Sequence, residues 1–312
     1  MNRKFTLILF LLTAFLVSCA QVGPGNSVWG QGGPKIVLNT TDDLYRFLTF
    51  EDGRYPLVSA HRGGPTTGYP ENALETFEYQ RLKQPLIIEF DVNMSKDSVL
   101  VLMHDDKLDR TTTGTGLVSD YTFEELQRLF LKDNKGNVTT FRIPTLDEAL
   151  QWGKGKVVFT VDVKRQVPYA KVVEAIERNQ AKAFSVVITY NADQALAVHR
   201  LDPELMISAS IGNSGDLLRL NDRDIPDNRL VAFVGTREVD KGMYELLHGH
   251  GIMCILGTMG NLDNQAKARG DEVYKGFIER GADILSTDRP EEAGKVLEAY
   301  RKEQKITSKY VR

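Results

Sequence analysis

Cysteine is nearly absent: two residues in 312, Cys19 and Cys254, rule out a disulfide-stapled scaffold and leave stability to a packed core. Cys254 lies in the apolar run 251–256 and reads as a small core residue rather than a nucleophile. Basic runs and basic patches interleaved with aromatics are also missing, and the formal net charge is -3, so nucleic acid is excluded as a partner. No segment predicts a protein partner. The Gly-rich stretch after the first strand-like run, His61-Arg62-Gly63-Gly64-Pro65, lacks the G-x-G-x-x-G spacing of a dinucleotide loop.

What is present begins with a targeting segment. Arg3 and Lys4 precede an apolar stretch from Phe5 to Val17, too short to span a bilayer as a mature helix. It ends Leu16-Val17-Ser18-Cys19, which resembles the lipobox of bacterial lipoproteins, in which cleavage leaves the cysteine as an acylated N-terminus. Residues 1–18 are therefore expected to be a signal peptide. Residues 19–35, glycine-rich and polar with Pro24 and Pro34, are expected to be a lipidated flexible tether. The expected location is the bacterial cell envelope, periplasmic or surface, with the membrane reached through the lipid at Cys19.

Residues 36–312, in a chain that is 42% hydrophobic and 26% charged, suffice for one large domain. A short helix is predicted over Thr40 to Phe50. Strand-like and helix-like segments then alternate, with strands over 57–61, 86–92, 157–163, 185–190, 205–210, 230–234, 251–256 and 283–287. Eight such pairs match the closure number of a (β/α)₈ barrel. A small hairpin and helix insertion after the second barrel strand holds an extra strand, 99–103, a Thr/Gly-rich loop, and a helical stretch over Thr122 to Leu131. The first barrel helix carries a start signal in Asn72-Ala73-Leu74-Glu75, a side-chain acceptor followed three residues later by a glutamate.

Three clusters at these strand ends carry chemistry: His61-Arg62-Gly63-Gly64, Glu89-Phe90-Asp91 and His104-Asp105. Glu89 and Asp91 alternate on an otherwise apolar strand, so both face the barrel interior, where two carboxylates repel or hold a cation between them. Asp162 and Lys164 repeat the spacing on the next barrel strand. Converging carboxylates suit Ca²⁺ or Mg²⁺ better than zinc. Lys164 could neutralise the acids or hold a phosphate oxygen. His61 and His104 could divide acid and base work. His199, His248 and His250 fall in or at the ends of helical segments and read as structural.

The ordered set His61-Arg62-Gly63, Pro70-Glu71-Asn72, Ile88-Glu89-Phe90-Asp91-Val92, His104-Asp105, Leu108-Asp109-Arg110-Thr111-Thr112 and Gly116 with Val118 resembles the glycerophosphodiester phosphodiesterase family. Gly281 to Asp288 looks like that family's final barrel strand. The resemblance implies a (β/α)₈ barrel that hydrolyses a glycerophosphodiester to glycerol phosphate and an alcohol with a divalent cation, Ca²⁺ or Mg²⁺. It implies His61 and His104 as the acid/base pair, Arg62 as a phosphate ligand, and Glu89, Asp91 and Asp162 as metal ligands.

Two departures accompany it. Family members usually place a glutamate two residues before the lysine, where this chain has Asp162 before Lys164, one methylene shorter. Their tryptophan-containing stretch on the seventh strand is replaced by Ile255-Leu256-Gly257-Thr258-Met259-Gly260-Asn261, so an aromatic wall is lost and Asn261 or Asp263 is expected to supply polar contacts to the substrate. These departures keep two alternatives in view: a phosphodiesterase acting on a different phospholipid or sugar-phosphate, and a degenerate barrel that only binds.

Overall fold

The structure, a computed structural model, describes residues 32–312. The leader 1–18, Cys19 and most of the 19–35 tether lie outside the described residues. Within the tether, Lys35 pairs through both backbone groups with Arg312, and Arg81 Nη1 donates to Gly32 O at 2.9 Å. Among the described residues no helix is long and apolar enough to cross a membrane.

Helix α1 (Thr41–Leu48) opens the fold. The elements that follow are β1 (Leu57–Ala60), α2 (Leu74–Arg81), β2 (Ile87–Met94), β3 (Leu100–Leu102), α3 (Phe123–Leu126), α4 (Leu146–Gly153), β4 (Val158–Val163) and α5 (Tyr169–Arg178). Then come β5 (Ser185–Thr189), α6 (Ala192–Leu201), β6 (Met206–Ser210), α7 (Ser214–Asn221), β7 (Leu230–Gly235), α8 (Lys241–Gly249), β8 (Cys254–Gly257), α9 (Asn261–Arg269), α10 (Val273–Glu279), β9 (Ile284–Thr287) and α11 (Pro290–Glu303). All strands but β3 are parallel, and β1 pairs with both β9 and β2, so eight strands close into a (β/α)₈ barrel. β3 runs antiparallel to β2 and begins the insertion.

Both faces of the barrel strands are buried because two cores compete for them. Outward residues such as Phe90 and Phe159 stack with Phe77 and Trp152 of the surrounding helices. Inward residues sort by depth with period two. The lowest layer, including Leu57, Ile87, Val158, Val186, Met206, Val231 and Ile284, is wholly apolar. Helix α1, started by the Thr40 capping box, presses Leu44, Phe47 and Leu48 onto that layer and closes the barrel bottom. The layers above it mix polar and charged groups with Ile188, Phe233 and Ile255.

Three segments depart from expectation. The stretch expected to be helical over 122–131 is helical only to Leu126, because Phe130 N donates to Thr113 Oγ1 and Leu131 N to Phe141 O instead of to the preceding turn. The seventh barrel strand, β8, starts at Cys254 rather than Gly251, since Ile252 pairs antiparallel with Thr49 at the end of α1. Asn72 does not cap α2: the N-cap is Ala73, without a side-chain bond, and the Asn72 amide is used elsewhere.

Candidate active site

Climbing each strand by twos from the apolar floor leads into one cavity of about 200 Å³ at the C-terminal mouth. Ser59 and His61 come from β1, Glu89 and Asp91 from β2, Thr160, Asp162 and Lys164 from β4, and Tyr190 from the end of β5. Ser208, Phe233, Ile255 and Ser286 belong to the later strands, and His104 reaches in from the insertion. The cavity thus takes its charged groups from β1, β2, β4 and the insertion, and mostly hydroxyl and apolar groups from the rest.

Glu89, Asp91 and Asp162 are buried, and each offers an oxygen within 4.8 Å of the others. Asp91 and Asp162 stand at the same register level of neighbouring strands. Lys164 Nζ donates to Asp91 Oδ1 at 2.6 Å and Asp162 Oδ2 at 2.7 Å, and Tyr190 Oη donates to Asp162 Oδ1 at 2.7 Å. Burial, reinforced by the neighbouring Asp91 charge, pushes the Glu89 carboxyl up to about 8. Asp91 is also desolvated, yet the Lys164 ammonium outweighs this and holds its pKa below the usual range. One lysine therefore serves two of three buried acids, and Glu89 is left without a cation of its own. Converging hard oxygens with surplus negative charge form a donor set suited to a divalent cation.

The local backbone is bent to serve this cluster. Arg62 sits at φ 51°, inside the single 3₁₀ turn His61–Gly63, which aims its N–H at Glu89 Oε2, 2.7 Å away. Gly63 follows at φ 82°, where a Cβ would lie 2.2 Å from the Phe77 ring, so both the conformation and the space require glycine. Asn72, also at positive φ, donates its amide to Asp91 Oδ2 at 2.8 Å while its Oδ1 accepts from Asp91 N.

The two imidazoles are held alike and balanced differently. His61 Nδ1 lies 2.7 Å from Asp288 Oδ1, and His104 Nδ1 lies 2.6 Å from Asp105 Oδ1. Each carboxylate fixes the tautomer and leaves Nε2 for the cavity. Asp105 is shared with Arg110, which grips both its oxygens and, on the other side, both oxygens of Glu71 at 2.8 Å. That guanidinium holds the Asp105 pKa well below the carboxylate range. Among the described residues Asp288 has only His61 as an ionic partner. Burial alone would lower the pKa of His61, but the Asp288 hydrogen bond, with the charges of Glu89 and Asp288, reverses the sign and raises it.

Of the other expected site residues, Arg62 directs Nη1 to Glu71 at 3.2–3.3 Å, while its Nε is buried, 3.9 Å from Asp91 Oδ2 and without a hydrogen-bond partner. Asn261 is exposed as the first residue of α9 and does not line the cavity, because Gly260, at φ 80°, turns the chain away from the mouth; Met259 takes that place. Asp263 is buried beneath the loop, accepting from Tyr274, Thr287 and the Asp288 backbone. His248 and His250 do not act together: His248 binds Asp283 and stacks on Phe50, whereas His250 binds Asp227. His248, Cys254 and Asp283 do converge below the barrel, but Arg54 already binds the Asp283 carboxylate, and burial pushes the Cys254 thiol upward. Roles for Asp288, Glu71, Arg110 and Tyr190 were not legible from the sequence, although Glu71, Arg110 and Asp288 lie within the motif stretches.

The profile of the Glycerophosphoryl diester phosphodiesterase family matches residues 61–252, more than half of the chain and the part that carries all but one of the site's ionic groups. The chain belongs to this family. It is a phosphoric diester hydrolase of the glycerophosphodiester phosphodiesterase type, and its closed barrel is the family's fold. It is similar to a glycerophosphodiester phosphodiesterase of Bacillus altitudinis, 28% identical over 256 residues that make up 77% of this chain and 98% of the relative. Its fold is similar to the crystal structure of a glycerophosphoryl diester phosphodiesterase from Parabacteroides distasonis, with TM-score 0.83 and 35% identity over 90% of this chain and 99% of that one. A phosphodiesterase from Oleispira antarctica, in complex with the product sn-glycerol-3-phosphate, shares the fold at TM-score 0.64 and 22% identity, over 82% of this chain and 99% of that one.

Proposed function

We propose that this phosphodiesterase hydrolyses a glycerophosphodiester bearing a small alcohol to glycerol phosphate and the free alcohol, using His61 and His104 as its proton-transfer pair. The observation that carries the reading is the placement of two imidazoles, each fixed at Nδ1 by a carboxylate, beside one cluster of three buried acids. One Nε2 takes the proton of the attacking hydroxyl and the other gives a proton to the departing alkoxide; attack by water gives glycerol phosphate directly, whereas attack by the glycerol's own 2-hydroxyl gives a cyclic phosphate that a water then opens. The product recorded in the Oleispira structure supports glycerol phosphate as the retained half.

Glu89, Asp91 and Asp162 would hold a divalent cation, Ca²⁺ or Mg²⁺, which when bound neutralises phosphate charge. Lys164 and the unpartnered Nε–H of Arg62 supply positive charge and a donor for phosphate oxygens. Asp162 is a methylene shorter than glutamate, and the hydroxyl of Tyr190 steadies it. A cavity of about 200 Å³ accommodates a glycerophosphate and a small alcohol rather than a diacyl lipid. The leader and Cys19 support an envelope lipoprotein, tethered to the membrane by acyl chains.

The test is hydrolysis of a panel of glycerophosphodiesters, and of intact phospholipid, with and without chelator, restoring Ca²⁺ or Mg²⁺ singly. The expected result is turnover of small diesters that chelator abolishes and one of these ions restores. Chelator-insensitive turnover would contradict the roles given to the three carboxylates.

A further inference from the structure

On the face opposite the mouth, where loops lead into the strands, lies a second groove of about 420 Å³. Pro34, Tyr55 and the α2–β2 connection form one wall, and the end of α11 with the last residues of the chain forms the other. Arg301 lies within it, 6% exposed. Its Nη1 donates to Pro56 O at 2.9 Å and its guanidinium lies over the Tyr55 ring, 4.6 Å from the centroid. Among the described residues it forms no ion pair, since Glu298, the acid one turn earlier, is taken by Lys302 at 2.5 Å. Glu298 lines the same groove and compensates this guanidinium only at a distance, and a buried cation without an ion pair is a cost to the fold until an anion arrives.

Lys83, Lys302, Lys305 and Arg312 surround this guanidinium. Lys305 and Arg312 have no ionic partner among the described residues, while Lys83 meets Glu291. The last twelve residues carry five basic side chains and one acidic, in a chain whose net charge is -3. The end of the chain is thus basic, and it lies away from the three buried acids of the mouth. The chain also enters the barrel there: Pro34 lines the groove, and the sequence before it leads back to Cys19.

We propose that this groove binds the phosphate group of an anionic phospholipid and seats the bottom of the barrel on a membrane surface. A guanidinium at depth with ammonium groups at the rim matches a phosphate diester that carries its charge at the bilayer surface. So seated, the enzyme turns its mouth toward water, where soluble phosphodiesters reach it. The groove is remote from the reacting groups, and the inference stands whether or not the catalytic reading does.

The test uses the full chain on vesicles of phosphatidylcholine with or without phosphatidylglycerol, reading the rate at which a water-soluble amine reagent labels Lys302 and Lys305. Lys241, whose side chain is 84% exposed on the mouth side, is the control. Phosphatidylglycerol is expected to slow labelling of Lys302 and Lys305 at least about fivefold while leaving Lys241 unchanged, in keeping with the attraction of each basic residue to an anionic surface. Arg301→Gln should remove the slowing with turnover of a soluble diester intact; where that variant does not fold, Lys305→Glu should remove the slowing, read at Lys302 alone. Equal labelling on both vesicles overturns the proposal. So does slowing by inorganic phosphate alone without a vesicle effect, which assigns the groove to a free anion.

Discussion

The two halves of the barrel mouth are built from the same strand geometry and do different work. From β1 through β4, with the insertion, the inward positions carry two histidines, three buried acids and a lysine, and nearly every one is tied to a second residue that fixes its direction. From β5 through β9 the same positions carry serines, Ile188, Phe233 and Ile255, with Tyr190 at the boundary. Under the proposed function the first half is preorganised for charge and proton movement, and the second offers shape and hydroxyls. The difference teaches that a barrel separates chemistry from fit by strand number rather than by depth.

If the division is right, the largest effect comes from the charged half. His61→Ala and His104→Ala should each lower kcat for a small glycerophosphodiester by at least about 10²-fold. Steady-state kinetics of both variants with near-parental turnover would collapse the distinction between the halves.

A smaller effect should come from a residue that acts only through His61. Because Asp288 raises the His61 pKa, Asp288→Asn should lower it and move one limb of the profile of log kcat/KM against pH toward acid, leaving the other limb in place. The limb that moves identifies the step His61 serves. The cost in rate at the optimum is expected to be about tenfold. Two unmoved limbs would mean that Asp288 only packs.

The smallest effect belongs to the other half. Phe233→Ala should change KM by up to about tenfold and reorder preference among alcohol groups, with kcat for the best substrate little altered. A large fall in kcat would place chemistry on the half assigned to fit.

Much of the architecture was legible because it repeats. Eight apolar runs spaced by helical patterns announce a barrel, and the alternation of Glu89, Asp91, Asp162 and Lys164 along apolar strands sets them on the inner face without reference to any neighbour. Asn72 shows where local reading stops. Its position before Ala73-Leu74-Glu75 is a helix-start signal, but its amide is recruited by Asp91 from a strand nineteen residues on, and α2 starts without it. The helix expected over 122–131 stops at Leu126 for the same reason, since partners outside the segment take the later donors. Asn261 looked available to the substrate by its place in a motif; one glycine at positive φ puts it outside the mouth.

The sequence by itself determined the fold class, the family and the inward-facing acids, because periodicity and ordered motifs are properties of neighbours along the chain. Only the tertiary structure decided that Lys164 spans Asp91 and Asp162 while Glu89 has no lysine of its own and its pKa is raised, and that Asp288, just after the last strand, holds His61, just after the first. It also decided that Glu71 joins Arg62 to Arg110, and that Arg301 is buried with no ion pair among the described residues. These are contacts between groups far apart in the chain, and their energies depend on burial and separation, which come into being only when the barrel closes.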